Sequence, residues 1–208
     1  MTDRPLLNHT DIAARIPHAG SMCLLGAVVF WDADRIVCSA ASHVASDHPL
    51  RAADGSLGIA AGIEYAAQAM AVHGSLLTEQ AALNAGLAAS KPAPGMLASV
   101  RAVEMHARRL DDVAQVLHVE ATRVASDAQA LVYAFELFVF ETRDGEDRTD
   151  LANQPDKSGE QPSSLRAPTR HFREPTDAAI PSGQTRPHAS RRLLLGGRAS
   201  VMLLPHPS

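Results

Sequence analysis

Apolar positions crowd one stretch of the chain more than any other: LGIAAGIEYAAQAMAVHGSLL, Leu57 to Leu77. It is rich in Ala and free of Pro, which predicts a helix. It is apolar on nearly every side, which predicts burial. Glu64 and Gln68 interrupt it one turn apart, so they share a face. A carboxylate in such surroundings loses hydration and is costly unless it is paired or protonated. Glu64 therefore reads as a chemical group, against the plainer reading of a structural core glutamate. A membrane span is disfavoured: the stretch is barely the required ~20 residues, and an acidic residue near its centre costs roughly 3 kcal/mol.

Elsewhere the pattern changes to strand length. HTDIAAR, residues 9–15, predicts a short helix with Thr10 or Asp11 as N-cap and Pro17 ending it. MCLLGAVVFW is a continuous apolar run that predicts a covered strand, and RIVCSAASHV a second one after the Asp32-Ala33-Asp34 turn. Ser46 to Ser56, with Pro, Gly and two Asp, reads as a loop into the central helix. SKPAPG, Ser90 to Gly95, breaks the chain after that helix. Three strand-like runs follow: MLASVRAVEMHARRL, AQVLHVEATRVAS and ALVYAFELFVFE. In the last, Leu131, Tyr133, Phe135, Leu137 and Val139 alternate onto one face, as in a sheet covered on that side. Hairpin turns are expected at Arg109–Asp112 and Ala125–Asp127.

From Asp144 to His188 the pattern disappears into Pro, Ser, Gly and charges of both signs. Such a segment buries too little to offset its ordering entropy and is expected to be disordered or loosely attached. LLLGGRASVMLL, Leu193 to Leu204, is strand-like again and is expected to be the last strand of the same sheet. The division is thus a domain over 1–143, an insertion over 144–189 and a closing strand over 190–204. One dominant helix with runs of strands predicts an α+β fold.

Composition narrows the function. With 208 residues and 46% apolar content the chain can bury a core, which 4% aromatics makes aliphatic. A net charge of -4 argues against a nucleic-acid binder. Cys23 and Cys38 lie in apolar segments and read as free thiols, and the N-terminus has no secretory pattern, so a cytoplasmic location is expected. His43 and His48 lack a third ligand nearby, so no metal site is expected. Asp111 and Asp112 read as turn residues, and Tyr65 and His73 as packing groups with a satisfied polar atom. His106 and His118 are expected to face solvent or a subunit partner. Arg101, Arg108, Arg109 and Arg123 form either a basic rim or a solvated strand face.

PHAGSMCLL, SHVASDHPLR, GIEYAAQAMAVHG, LASVR, RLDD and GRASV occur in an order and spacing that resemble the hotdog-fold 3-hydroxyacyl-[acyl carrier protein] dehydratases. In particular they resemble the dehydratase-like family encoded in aryl polyene biosynthesis clusters. The resemblance spans Ile16 to Glu141 and Gly197 to Leu203. It implies a hotdog fold, an antiparallel sheet wrapped around the long helix. It also implies that His18 is the catalytic histidine, Glu64 the catalytic carboxylate and Gln68 a supporting residue, with no metal or organic cofactor. In that family two protomers join their sheets, so His from one chain would face Glu from the other. The partner is a homodimeric copy or a related hotdog subunit, and the substrate arrives on the phosphopantetheine of an acyl carrier protein. Two departures are Gly26, where related dehydratases usually have Asp, and DGSLGIAAG, where they tend to have a Pro-Gly step.

The residues suit the implied chemistry, dehydration of a 3-hydroxyacyl thioester to a trans-2-enoyl thioester. His18 has the ordinary pKa of a base near neutrality. Glu64 in an apolar helix is expected to hold a proton it can give to the leaving hydroxyl. Backbone N–H groups at the helix start could polarise the carbonyl, and Gln68 could orient Glu64 across one turn. The alternatives are a non-catalytic hotdog subunit paired with an active paralogue, and a thioesterase on the same scaffold.

Overall fold

The computed structural model describes residues 5–87, 95–127, 130–141 and 190–203. Those residues fall in one compact unit. The insertion expected over 144–189 and the break at SKPAPG lie outside the described residues, apart from Gly95 of the latter.

The chain opens with a two-residue strand, β1 (Leu7–Asn8), which the apolar pattern did not suggest, and a short helix, α1 (His9–Ala13). The N-cap of α1 is Asn8, not Thr10 or Asp11. The Asn8 side chain accepts from the Asp11 N–H, and the Asp11 side chain accepts from the Asn8 N–H, a reciprocal capping box. Strands β2 (Ala27–Trp31) and β3 (Arg35–Ala40) form a hairpin across the expected turn. Both are shorter than their apolar runs, because Gly20–Met22 and Ser42–Val44 wind into single 3-10 turns.

The central helix, α2, spans Gly62–Asn84. It starts later than Leu57 because Leu57 and Ile59 are engaged elsewhere: the Leu110 N–H donates to Leu57 O and the Ile59 N–H to Arg108 O. That pairing holds the entry extended, and Ile59–Ala61 then makes one 3-10 turn before α2 begins. The helix runs past Leu77 to a firm stop. Gly86 takes φ +67°, the Gly86 N–H donates to Leu83 O and the Leu87 N–H to Ala82 O, a Schellman motif.

Strands β4 (Gly95–Met105), β5 (Leu117–Ser126), β6 (Ala130–Glu141) and β7 (Ser190–Leu203) complete a seven-stranded sheet. The order is β1-β2-β3-β5-β6-β7-β4, with every pairing antiparallel. The last strand therefore belongs to the same sheet, as expected, and sits between β6 and β4. Among the described residues β4 and β5 form no hairpin: β4 is an edge strand paired to β7, and β5 pairs with β3 and β6. Arg109–Asp112 is thus a connection crossing between distant strands, not a hairpin turn. Ala125–Asp127 does lie at the β5–β6 hairpin, where the Asp127 N–H donates to Ala130 O.

One face of the sheet covers α2, the hotdog arrangement. Tyr65, Ala66, Ala69, Val72, His73 and Leu76 recur at helical spacing and are buried. Opposite them stand Ile36, Cys38 and Ala40 of β3, Leu117, Val119 and Ala121 of β5, and Tyr133, Phe135, Leu137 and Val139 of β6. Each fully buried Leu or Phe contributes roughly 1.5–3 kcal/mol. Gly62 lets the start of α2 approach the sheet closely: a Cβ there would lie 2.7 Å from Leu195 Cδ2 and 2.8 Å from Leu137 Cδ2. This contact fixes the height at which Glu64, two residues on, leaves the helix.

Candidate active site

The site is assembled where the first turn of α2 meets the loop that precedes β2. His18 lies in that loop, and its Nε2 is 3.1 Å from Glu64 Oε1 of the same chain. The resemblance implies a pair formed across two chains; within this chain the two side chains are already in contact. Both side chains are about three-tenths exposed, at 28% and 30%, so the pair is reachable from outside. His18 Nδ1 is buried without a hydrogen-bond partner among the described residues, so nothing there locks the ring tautomer.

Gln68 explains why the pair forms. It is fully buried, and both of its N–H donors are used. Its Nε2 donates to Met22 O at 2.8 Å and to Glu64 Oε1 at 2.9 Å, while its Oε1 accepts from the Leu24 N–H at 2.8 Å. One helical side chain thus orients the carboxylate and also pins residues 22–24 of the His18 loop. The strand-like run MCLLG leaves the sheet for this reason: its backbone bonds to a helix side chain instead of a neighbouring strand. Gly26 marks the return to the sheet, its N–H donating to Ser39 O at 2.8 Å.

Glu64 also forms part of the wall of an open depression of about 490 Å³, whose other lining residues are Leu50, Gly58, Ala60, Ala61 and Ile63. Apart from the carboxylate the lining is aliphatic or glycine, suited to an apolar chain rather than a charged one. The backbone at its floor is the 3-10 entry to α2. That entry is tied down by Asp111, which accepts from the Leu57 N–H and pairs with Arg51 and Arg109. The hydrogen bonds from Arg109 hold the Asp111 carboxyl well below the usual carboxylate range. Sequence reading saw only a turn residue in Asp111 and had no signal for Leu50.

The remaining candidates have other tasks. His43 Nε2 lies 2.9 Å from Val113 O, and His48 Nε2 lies 3.0 Å from the Tyr65 hydroxyl. His73 spans Tyr133 Oη and Asp32 O, and burial lowers the pKa of all three histidines. Among the described residues no group of three or more His, Cys, Asp or Glu could hold a metal ion. His106 is exposed, whereas His118 packs against Phe138 and Phe140. Of the four arginines, Arg101 stands opposite Arg198, Arg123 pairs with Asp34, Arg109 is held by Asp111, and Arg108 is exposed. Cys23 and Cys38 are buried and free, and burial pushes the Cys38 thiol up to about 12. No helix among the described residues is long and apolar enough to cross a membrane.

Residues 10–152 match the ApeP-like family, described as ApeP dehydratase. Among solved structures, the chain is similar to the dehydratase heterocomplex ApeI:P from Xenorhabdus doucetiae. The identity is 18% over 94% of this chain and 91% of that one, with a TM-score of 0.56. It also aligns with AziG from S. sahachiroi at 15% identity over 88% and 92% of the two chains, with a TM-score of 0.41. No curated protein matches it. At these identities the ApeI:P likeness speaks for the fold, which agrees with the hotdog arrangement described above.

Proposed function

The chain belongs to the ApeP-like dehydratase family, and on that premise we propose that it removes water from a 3-hydroxyacyl thioester carried by an acyl carrier protein, giving the trans-2-enoyl thioester. The observation that carries this reading is the His18–Glu64 contact of 3.1 Å on the edge of an apolar depression. With the shared proton on Glu64, His18 Nε2 is unprotonated, and it becomes a base once the Glu64 O–H turns to the substrate hydroxyl. It takes the C2 proton, and the electron pair of that bond becomes the C2–C3 double bond. The C3–O bond breaks, and the hydroxyl leaves as water with the proton from Glu64. His18 then returns the abstracted proton to Glu64 across the same short contact, which resets the pair. The N–H groups of Ile59, Ala61 and Gly62 are spent inside the protein, so stabilisation of the thioester oxygen falls to the positive end of α2 as a whole.

For partners, the reading is a related hotdog subunit, in keeping with the heterocomplex that the ApeI:P structure is named for. Two buried free thiols suit a reducing compartment such as the cytoplasm. The test is Glu64→Gln and His18→Gln, each assayed with the protein's partner present on a 3-hydroxyacyl-carrier substrate by mass spectrometry. Loss of 18 mass units in the wild type (roughly one water) and its suppression in both variants is expected. Unchanged dehydration in both variants would make the chain a non-catalytic subunit. Release of free acid instead of water loss would make it a thioesterase.

A further inference from the structure

A second polar network runs behind the pair and its hydrogen-bond directions can be assigned. Ser42 Oγ is 2.8 Å from Leu24 O, a carbonyl that can only accept, so the single Ser42 proton points there. Ser42 Oγ is also 2.7 Å from Tyr65 Oη, and with its own proton spent it must accept from the Tyr65 hydroxyl. Tyr65 Oη, its proton spent in turn, must accept from His48 Nε2 at 3.0 Å. His48 is reached independently from the other end: the Leu50 N–H donates to His48 Nδ1 at 3.2 Å, which requires a lone pair on Nδ1. Both ends demand the same state, with the proton on Nε2 alone.

The two ends of this chain are both functional under the dehydratase reading, on which the kinetic part of the inference rests. Leu50 lines the depression beside Glu64. Leu24 is the residue whose N–H is held by Gln68, so its backbone is clamped on both sides. We infer that His48 is a positioning residue: as the neutral Nε2–H tautomer, it ties the Leu50 wall of the depression to the loop that carries His18. Tyr65 and Ser42 are the intermediate links. Burial supports this assignment, since Tyr65 is fully buried, His48 is 5% exposed, and burial disfavours a charged imidazole there. Arg51 and His43 nearby act in the same direction, against Asp47.

Two variants separate the links. His48→Asn places an amide oxygen near Nδ1 and keeps the Leu50 tether, but loses Tyr65. His48→Gln reaches Tyr65 with its amide and loses Leu50. His48→Asn and Tyr65→Phe should lower kcat about tenfold with KM little changed, the effect of one lost hydrogen bond on the reacting loop. His48→Gln should raise KM about fivefold to tenfold with kcat little changed. Long-range proton–nitrogen NMR of the imidazole should show His48 protonated on Nε2 and not on Nδ1 at neutral pH. A proton on Nδ1, or kcat and KM moving together in both His48 variants, overturns the inference. Should the wild type dehydrate nothing, the dehydratase reading fails by itself, and the tautomer still decides whether the network is as assigned.

Discussion

Replacing Gln68 by Leu tests the central claim about the site, that one amide holds both halves of the pair. Leu is of similar volume and helix propensity, so the helix itself is little perturbed. Three hydrogen bonds disappear. The one to Glu64 reaches a side chain that is 30% exposed, and water can replace it. The bonds to the Leu24 N–H and Met22 O cannot be replaced so easily, because the amide they meet is fully buried. An unsatisfied buried backbone group costs about 1–3 kcal/mol; the buried Leu24 N–H bears this in full and the half-buried Met22 O in part, so the two cost about 2–5 kcal/mol. Burying a Leu in place of an amide returns part of that, which leaves a net loss of about 2–4 kcal/mol.

For a chain of this size each kcal/mol moves Tm by about 2–4 °C, so Gln68→Leu should melt roughly 5–15 °C below the wild type. Circular dichroism melts and urea titrations measure it. Glu64→Gln is the control: it removes the charge but not the loop anchor, and its stability should stay within about 0.5 kcal/mol. Gln68→Leu melting within about 2 °C of the wild type would refute the reasoning. So would Glu64→Gln losing as much stability as Gln68→Leu, for then the carboxylate, not the amide, would be the anchor.

Further outcomes are expected. Glu64→Gln and His18→Gln should each lower kcat/KM about 10²–10⁴-fold in the water-loss assay while leaving the fold intact, which circular dichroism verifies. Gly62→Ala should destabilise by about 1–2 kcal/mol in urea, since the new methyl meets Leu137 and Leu195 at under 3 Å and helix propensity returns only about 1 kcal/mol. Stability should fall as pH drops below about 6.5. His43, His48 and His73 have depressed pKa values when folded, so the unfolded chain binds protons first and gains. Urea midpoints measured from pH 7.5 down to 5 should show this slope, and His73→Gln should reduce it.

Much of the architecture was legible because burial writes a period into sequence. ALVYAFELFVFE alternates, and β6 has those very bounds, Ala130–Glu141. The apolar 57–77 stretch became the helix under the sheet. What failed depends on contacts between distant residues. Nothing local in MCLLG says that Gln68, more than forty positions later, will take the backbone bonds of Met22 and Leu24 away from the sheet. Nothing in ARRLDD says that it crosses to clamp Leu57 instead of turning a hairpin. The candidate residues His18, Glu64 and Gln68 came from motif and polarity. Their meeting within a single chain could not, because motif order is silent about which copy folds onto which.

That single-chain geometry changes what a partner would contribute. Had His18 stood far from Glu64, association would have been the step that builds the pair, and an isolated chain would lack it. Instead the pair is fixed by a buried amide whose two donors are both engaged and whose oxygen holds the Leu24 N–H, so its geometry is set when the chain folds. The depression beside it is different: it is open, with walls from Leu50, Ile63 and the α2 entry. An acyl chain lying there would keep one side in water, and enclosing that side is the contribution left for a second subunit. On the proposed dehydratase reading, pairing would then tighten substrate binding and exclude water, while His18 and Glu64 of this chain would carry the proton transfers.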